Sequence, residues 1–450
     1  MADISFTSSS DEISPDVLFD VIKKIKQFGA DQVDILANAR EETIVHSRML
    51  QVDNVIQAHT VDIGVRVFMG KRSAVISTDN TDDLSNPAFV EKAIFATSNS
   101  PEESEKSRAD GVDLCTNFKK IDLCDPISPS HQQLVENAKK CEEIALQIDG
   151  ITNSEGSSVS HRRIKTMLAK SDNFFGEYEK TFNQISFVAI ATKNGCMERD
   201  GEYSSSVYYA DLKTPEYIAQ QAAKKAIRRC GARKVASCSV PIIFHRDVAS
   251  QLLNDLISAL NGAAIAGGTS FLKDKLSKKI FADTVNVVDR YALDKGLRSR
   301  PFDADGLECM DNSILKDGVL NSFLLNVKYA NRLGQKSTRN AGGWSVISPN
   351  NICIENGGIS LKDMIGCVKN GLYVVDVIGM GLNVITGNFS QGAVGFWIVD
   401  GEIAYPVNEV TIAQNFIDMF ANCQVASDLE IKSGIDAPSI FVEKMVVGGI

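Results

Sequence analysis

From Val61 the apolar side chains fall on every second residue (Val61, Ile63, Val65, Val67, Met69), Gly70-Lys71 turns the chain, and Ala74, Ile76 and Thr78 alternate again. A period of two puts these side chains on one face of a pleated strand, so the segment reads as an antiparallel hairpin with its other face in water. Strand-like patterns return over Arg163–Ala169, Gln184–Ala191 and Ser204–Ala210, separated by turn-forming stretches such as Lys193-Asn194-Gly195. Together they predict one antiparallel sheet. Helices are signalled around it. Ser14-Pro15, Asn86-Pro87, Ser128-Pro129 and Thr214-Pro215 each place a capping side chain beside proline ahead of an apolar row such as Leu18, Ile22, Ile25 or Ile218, Ala222, Ile227. The polar stretch Ser98–Asp110 reads as a surface loop.

The second half opens with an apolar run, Ser239–Phe244, and a helix from about Asp247 to Ile265 carrying Leu252, Leu256, Ala259 and Leu260. Beyond it Asp317-Gly318, Asn356-Gly357-Gly358, Asn370-Gly371 and Asp400-Gly401 read as hairpin turns, the last joining Gly395–Val399 to Glu402–Tyr405. The expected fold is α+β in two domains. Residues 1–235 form a sandwich-like α/β domain with an antiparallel sheet, and residues 236–450 form a β-rich domain built on a curved sheet or partial barrel.

Charge and length exclude several classes of function. Forty-seven Lys and Arg against 57 Asp and Glu give a net charge of −10, the wrong sign for a chain that tracks phosphate backbones, so no direct nucleic-acid contact is expected. No apolar run approaches the ~18–20 residues that cross a bilayer, so no membrane partner is expected. Met1–Pro15 carries Asp3, Asp11 and Glu12 and lacks the basic and apolar regions of an export signal. Ten cysteines without a C-x-x-C fit neither a disulfide framework nor a zinc ribbon, and they read as reduced thiols in a cytoplasmic protein.

Chemistry-bearing residues are sparse. All five histidines (His46, His59, His131, His161, His245) lie at or before position 245, none spaced as H-x-x-x-H or H-x-H, so the second half alone cannot assemble a Ser–His–Asp or Cys–His site. His245 reads as a helix-start side chain with a local partner, or as an acid–base group. Cys309, Cys353, Cys367 and Cys423 lack a neighbouring histidine or lysine and read as small buried hydrophobes. Arg298-Ser299-Arg300-Pro301, followed by Asp303, Asp305 and Glu308, offers a substrate-anchoring arginine pair, though composition favours a solvated loop with weak ion pairs. Gly379-Met380-Gly381 and Gly387-Asn388-Phe389-Ser390-Gln391-Gly392 read as turns, the second with donors that suit an extended peptide.

Several stretches together resemble the TldD/PmbA family, also called the modulator of DNA gyrase family, in its PmbA (TldE) branch. They are Gly64-Val65-Arg66-Val67 with Gly70-Lys71-Arg72, Ser154-Glu155-Gly156-Ser157, Arg298–Asp303 with Gly306, Ser348-Pro349-Asn350-Asn351, and above all Gly379–Gly401 running into Tyr405-Pro406-Val407. The resemblance implies a cytoplasmic two-domain protein that pairs with a TldD-like subunit in a metallopeptidase acting on unfolded or flexible peptides. It also implies that zinc resides in that partner, held by an H-E-x-x-x-H helix and a cysteine near the C-terminus. Here the matching helix is Leu252–Gly262. With Gly268-Thr269-Ser270 setting the register, Leu253, Asn254 and Ser258 stand at the His, Glu and His positions, so neither metal ligands nor catalytic residues are expected in this chain. Asp428 to Ser439 holds no cysteine, and Cys423 precedes that stretch. Asn383, Thr386 and Ser390 are the candidates for polar contacts in a peptide cavity. A homodimer is expected of the isolated chain. Two other readings stay open: a homodimeric peptide-binding or regulatory protein without a peptidase partner, and a metal-independent hydrolase using Cys or Ser.

Overall fold

The computed structural model describes residues 13–109 and 114–449. The acidic residues Asp3, Asp11 and Glu12, on which the export argument rests, lie outside them. The first half is organised by one six-stranded antiparallel sheet whose strands are β1 (Gln32–Arg48), β2 (Gln51–Met69), β3 (Arg72–Thr78), β4 (Ile151–Lys170), β5 (Phe175–Lys193) and β6 (Cys196–Ser206). Their spatial order is β3-β2-β1-β4-β5-β6. The β2–β3 hairpin forms where the alternation places it, with Val65 opposite Ile76 and Val67 opposite Ala74. β1 was not anticipated from the sequence, and β4 and β5 run well beyond the apolar cores that announced them.

Helices α1 (Pro15–Gln27), α2 (Pro87–Ser98), α3 (His131–Ala145) and α4 (Pro215–Arg229) start as their caps predict, with one correction. The third is capped by Ser130, whose side chain and Gln133 form a reciprocal capping box, rather than by Ser128. All four helices cover one face of the sheet. That face is set by parity: Val33, Ile35, Ala37 and Val45 of β1, with Ile63, Val65, Met167, Ile185, Phe187 and Ala189, are buried beneath them.

The even-numbered positions face the second half of the chain, and here the sheet is charged. Arg66, Asp34 and Lys170 are register partners across β2, β1 and β4. The Asp34 carboxylate lies 2.9 Å from Arg66, 2.8 Å from Arg108 and 3.7 Å from Lys170. From the second half, Asp305 approaches Arg66 at 3.4 Å, and its backbone carbonyl accepts from Lys170 Nζ at 2.8 Å. All of these groups are buried. Two sequence readings are thereby corrected. The loop after α2 is not wholly on the surface, because Ser107, Arg108 and Ala109 are buried, and Asp303 and Asp305 are interior rather than solvated. Around this cluster Leu168, Phe174, Phe302, Leu307 and Val327 form a shared apolar patch between the two halves.

In the second half β7 (Cys238–Phe244) leads into α5 (Arg246–Leu260). The single long helix read from the sequence is broken at Asn261, whose side chain caps the short α6 (Gly262–Ala266). Strands β8 (Val287–Arg290), β9 (Asn312–Lys316), β10 (Val319–Leu320) and β13 (Asn351–Ile354) make a small sheet, with a two-stranded hairpin of β11 (Ala341–Gly343) and β12 (Val346–Ile347) beside it. The chain then forms β14 (Asn370–Ile378), β15 (Asn388–Val399), β16 (Glu402–Asn415), β17 (Cys423–Val425), β18 (Ile435–Asp436) and β19 (Ile440–Gly448). β18 completes the small sheet, and the order β16-β15-β14-β7-β19 closes on itself through pairing of β16 with β19. The expected curved sheet is thus a closed five-stranded barrel. Its core joins Val374, Phe389, Ile412 and Val442 to Leu252, Leu253 and Leu256 of α5.

Asp317-Gly318 and Asp400-Gly401 turn hairpins as read, each with both residues at positive φ. Asn370-Gly371 instead begins β14, and Asn356-Gly357-Gly358 lies between β13 and a bridge from Ile359 to Ala426. The stretch Asn388–Gly392, read as a turn, is the first part of β15.

Candidate functional site

The helix that carries the family-like positions begins at the rim of a cleft of about 260 Å³ between the two halves. β6 contributes Tyr203, α5 contributes Arg246, Asp247, Ser250 and Asn254, and the segment before β19 contributes Glu430, Lys432 and Asp436. His245 caps α5, its Nδ1 accepting from the Asp247 N–H at 3.2 Å, which is the local role read for it. Burial holds the His245 imidazole below its ordinary pKa.

The segment 428–439 is fixed by its own carboxylates. Asp436 accepts from the backbone N–H groups of Lys432, Ser433 and Gly434 at 3.1, 3.0 and 2.8 Å. Asp428 accepts from the N–H and hydroxyl of Ser439, both at 2.8 Å. Gly434 sits at φ +80, and a Cβ there would meet Arg298 Cγ at 2.7 Å. Only glycine fits this seat without strain.

At the wall of the cleft, and just behind it at Glu202 and Lys225, acids and bases neutralise each other. Lys432 Nζ lies 3.2 Å from Glu202 and 3.6 Å from Asp247, while Lys225 Nζ lies 2.9 Å from Glu202 and 3.8 Å from Asp247. Arg246 pairs with Glu430 at 2.5 Å. Burial opposes ionisation of Glu202, yet the two lysines hold its carboxyl below the ordinary range. Asp247 is likewise held down against burial by His245, Lys432 and Lys225. Where a metal site would gather anionic ligands around a cation, two ammonium groups already occupy the space between the carboxylates.

The three family-like positions of α5 do not converge. Leu253 is buried in the barrel-side core, whereas Asn254 and Ser258 are exposed, one turn apart, with the Ser258 hydroxyl donating back to the Asn254 carbonyl at 3.1 Å. Leucine has no lone pair, and neither an amide nor a hydroxyl is a usual zinc ligand. No group of three or more His, Cys, Asp or Glu among the described residues is placed to hold a metal ion. Cys423 is buried in β17 and does not line the cleft. This donor set does not fit a tightly held zinc. Next to Asn254, Asp255 has no ionic partner among the described residues, and burial raises its carboxyl to about 6.

The other candidates lie elsewhere. Asn383 and Thr386 are exposed in the loop between β14 and β15 and serve that loop: Asn383 Oδ1 accepts from Ile385 and Thr386 at 3.0 and 3.1 Å, and Thr386 Oγ1 accepts from Asn388 at 3.3 Å. Ser390 is exposed on β15. None of the three lines the cleft at α5. Of the second-half cysteines, Cys309, Cys353 and Cys423 are buried as read, but Cys367 is exposed.

Arg298 and Arg300 are committed to the chain itself. Arg300 donates to Asn350 Oδ1, Ala341 O and Ser348 O at 2.9, 3.0 and 2.8 Å, and Arg298 donates to Ser348 Oγ at 2.6 Å. They staple the 340–350 segment rather than presenting a free pair. Lys180 of β5 donates to the intervening Ser299 carbonyl at 3.3 Å. Burial, then the two guanidinium groups, push its ammonium down to about 7 from 10.5. A lowered folded value means that folding disfavours the proton, so stability falls as pH drops from about 10 towards 7. Lys180→Met is therefore expected to be more stable than wild type at pH 7 and to lose that advantage near pH 10. Urea midpoints at the two pH values check this, and equal stability at pH 7 would contradict it.

Three family models match the chain, and the first sheet runs through the first two of the matched regions. Domain 1 of the PmbA/TldA metallopeptidases matches residues 33–103, the central domain 124–229 and the C-terminal domain 237–449. The chain belongs to the PmbA/TldD metallopeptidase family. Among its relatives, Metalloprotease PmbA of Escherichia coli O157:H7 is 33% identical over 423 residues, covering 93% of both chains. A solved structure from Bacteroides thetaiotaomicron, described as a modulator of DNA gyrase, superposes with a TM-score of 0.89 at 25% identity, over 99% of this chain and 100% of that one. TldE from Thermococcus kodakarensis shares the fold, with a TM-score of 0.84 at 20% identity over 96% and 100% of the two chains. No helix among the described residues of this PmbA/TldD chain is long and apolar enough to cross a membrane.

Proposed function

We propose that this chain is the PmbA/TldE-like subunit of a heteromeric TldD/TldE-type peptidase, without zinc of its own, and that it shapes the path of an unfolded or flexible peptide for a zinc-bearing TldD-like partner. The observation that carries this reading is the state of α5: Leu253 is turned into the core, and Asn254 and Ser258 supply no zinc ligand. The lysine-neutralised carboxylates of the cleft support it, since Glu202 and Asp247 are held by Lys225 and Lys432. The names of the relatives place metalloproteases in the family, and the TldE-like fold fits a chain that works in a pair. A peptide recognised through main-chain hydrogen bonds is read by its extended shape rather than its sequence, which suits varied unfolded substrates. The test is cleavage of an unfolded protein such as reduced casein by the chain alone, by a TldD-like chain alone and by the two mixed. Cleavage is expected from the mixture above that of either chain, and robust cleavage by this chain alone would overturn the reading.

A further inference from the structure

On the outside of the barrel three hydrogen-bond donors stand together without an acceptor. The alternation that turns Leu372, Val374 and Trp397 into the barrel core sends Tyr373 of β14 and Phe396 of β15 to the opposite face, where they are register partners. Ile243, Met364, Val368 and Ile398 bed both rings. The His245 ring meets Tyr373 edge-on, with the centroids 6.0 Å apart. From α4, Arg228 lays its guanidinium over Phe396, with Cζ 4.7 Å from the ring centroid. Arg228, Phe396, Tyr373 and His245 thus form one continuous row that joins the two halves of the chain.

Each polar end in this row is a donor. His245 Nδ1 accepts from the Asp247 N–H at 3.2 Å, so the neutral ring carries its proton on Nε2. The Tyr373 phenol keeps its proton, because burial and the Asp428 carboxylate push its pKa up against the pull of Arg228 and Arg246. Arg228 is exposed, and a guanidinium has only donors to offer. Among the described residues, nothing accepts a hydrogen bond from Nε2, from the phenol or from the Arg228 side chain, and Arg228 has no ion pair. The unpartnered side-chain atoms sealed from water belong to Arg66, Arg108, Arg229, Arg246 and Asp289. The Tyr373 hydroxyl and His245 Nε2 are not among them, so both reach the surface although Tyr373 is only 6% exposed.

The other charges nearby are already engaged. Asp428 accepts from Ser439, Asp247 is held by Lys225 and Lys432, and Arg246 is paired with Glu430. One uncommitted guanidinium with two neutral donors suits a single negative charge shared by two oxygens. A phosphate dianion would face Asp428 with only that one free cation. We propose that this row binds a carboxylate of a peptide, Arg228 supplying the charge and Tyr373 and His245 Nε2 the remaining hydrogen bonds. That the carboxylate belongs to a peptide rests on the peptide reading above. The row itself is separate from the cleft at α5, whose lining includes none of Arg228, Tyr373 and His245.

Fluorescence anisotropy with the full chain alone tests it, so that neither zinc nor a partner enters the result. One unfolded peptide without acidic residues is used in three forms: with a free C-terminal acid, as the C-terminal amide, and as the amide with a single internal Glu. A carboxylate form is expected to bind about tenfold tighter than the plain amide, and the form that does so identifies the source as chain terminus or side chain. Arg228→Gln and Tyr373→Phe are each expected to abolish that preference while keeping the same circular dichroism. Arg233→Gln removes a different stacked guanidinium, 4.6 Å over Tyr405, and is expected to keep it. Equal binding of the three forms by wild type, a preference that survives Arg228→Gln, or one lost equally in Arg233→Gln would overturn the proposal. Failure of the mixed-chain casein assay with the preference intact would remove the peptidase pairing and leave the carboxylate site standing.

Discussion

Asp34→Asn is expected to cost the protein about 3–5 kcal/mol, the range for breaking a buried ion pair by removing one partner. The substitution keeps the shape of the side chain and removes its charge. What it leaves is Arg66, Arg108 and Lys170 gathered around a neutral amide, all buried, with Asp305 as the remaining interior anion in contact with Arg66. An exposed pair would cost under ~1 kcal/mol, because water and salt screen it. Burial alone would raise the Asp34 pKa, but Lys170, Arg66 and Arg108 more than offset it and hold the carboxyl below its ordinary 3.8. Because the folded value is depressed, the stabilisation is present above about 3.9 and is lost as pH falls through the folded pKa. Urea unfolding at pH 7 should therefore separate Asp34→Asn widely from wild type, and the gap should close in strong acid. A difference below about 1 kcal/mol at pH 7 would mean that the cluster is solvated. As Asp305 and the carbonyl that receives Lys170 belong to the second half, the same loss should loosen the contact between the halves.

A second large effect is expected when the family's ligands are written back into α5. Leu253→His places an imidazole where a fully packed leucine now touches the barrel core, and the expected cost is about 2–5 kcal/mol from lost packing and an unpaired buried polar ring. The triple change Leu253→His, Asn254→Glu, Ser258→His is expected to destabilise similarly and to gain no zinc. Positions 254 and 258 share the exposed face of the helix while 253 is turned into the core, and segment 428–439 contributes no thiolate. Denaturation midpoints and metal analysis of the two variants check both halves of the prediction. A triple variant that folds with wild-type stability and binds one zinc per chain would show that the helix presents these positions together.

Much of this was legible in the sequence because local physics decided it. A serine, threonine or asparagine beside a proline marked the helix starts, and the structure moves only one of them, where Ser130 outcompetes Ser128 because Gln133 completes a reciprocal cap. The β2–β3 hairpin was visible because Ile63, Val65 and Val67 of β2, with Ile76 of β3, are buried at alternate positions near the turn. β1 was not, since its outer half is mostly intermediate in burial and shows little alternation. The electrostatic core was hidden for a different reason. Asp34, Arg66 and Lys170 meet through strand register, and Asp305 and Arg108 come from distant segments whose composition reads as solvated loop. No local pattern announces a charge that is buried only because its partners arrive from elsewhere. At the cleft, the missing donors of α5 were legible residue by residue, whereas Lys432 and Lys225 closing over Glu202 and Asp247 required the fold.

The metal content of the full chain, purified alone and dialysed against micromolar zinc, is the most direct measurement of all. Plasma mass spectrometry is predicted to find far less than one zinc per molecule, under conditions in which a TldD-like chain with an intact H-E-x-x-x-H helix retains its metal. Stoichiometric zinc in this chain, lost when Asn254 and Ser258 are replaced by alanine, would contradict the proposal that it serves the peptidase without a metal of its own.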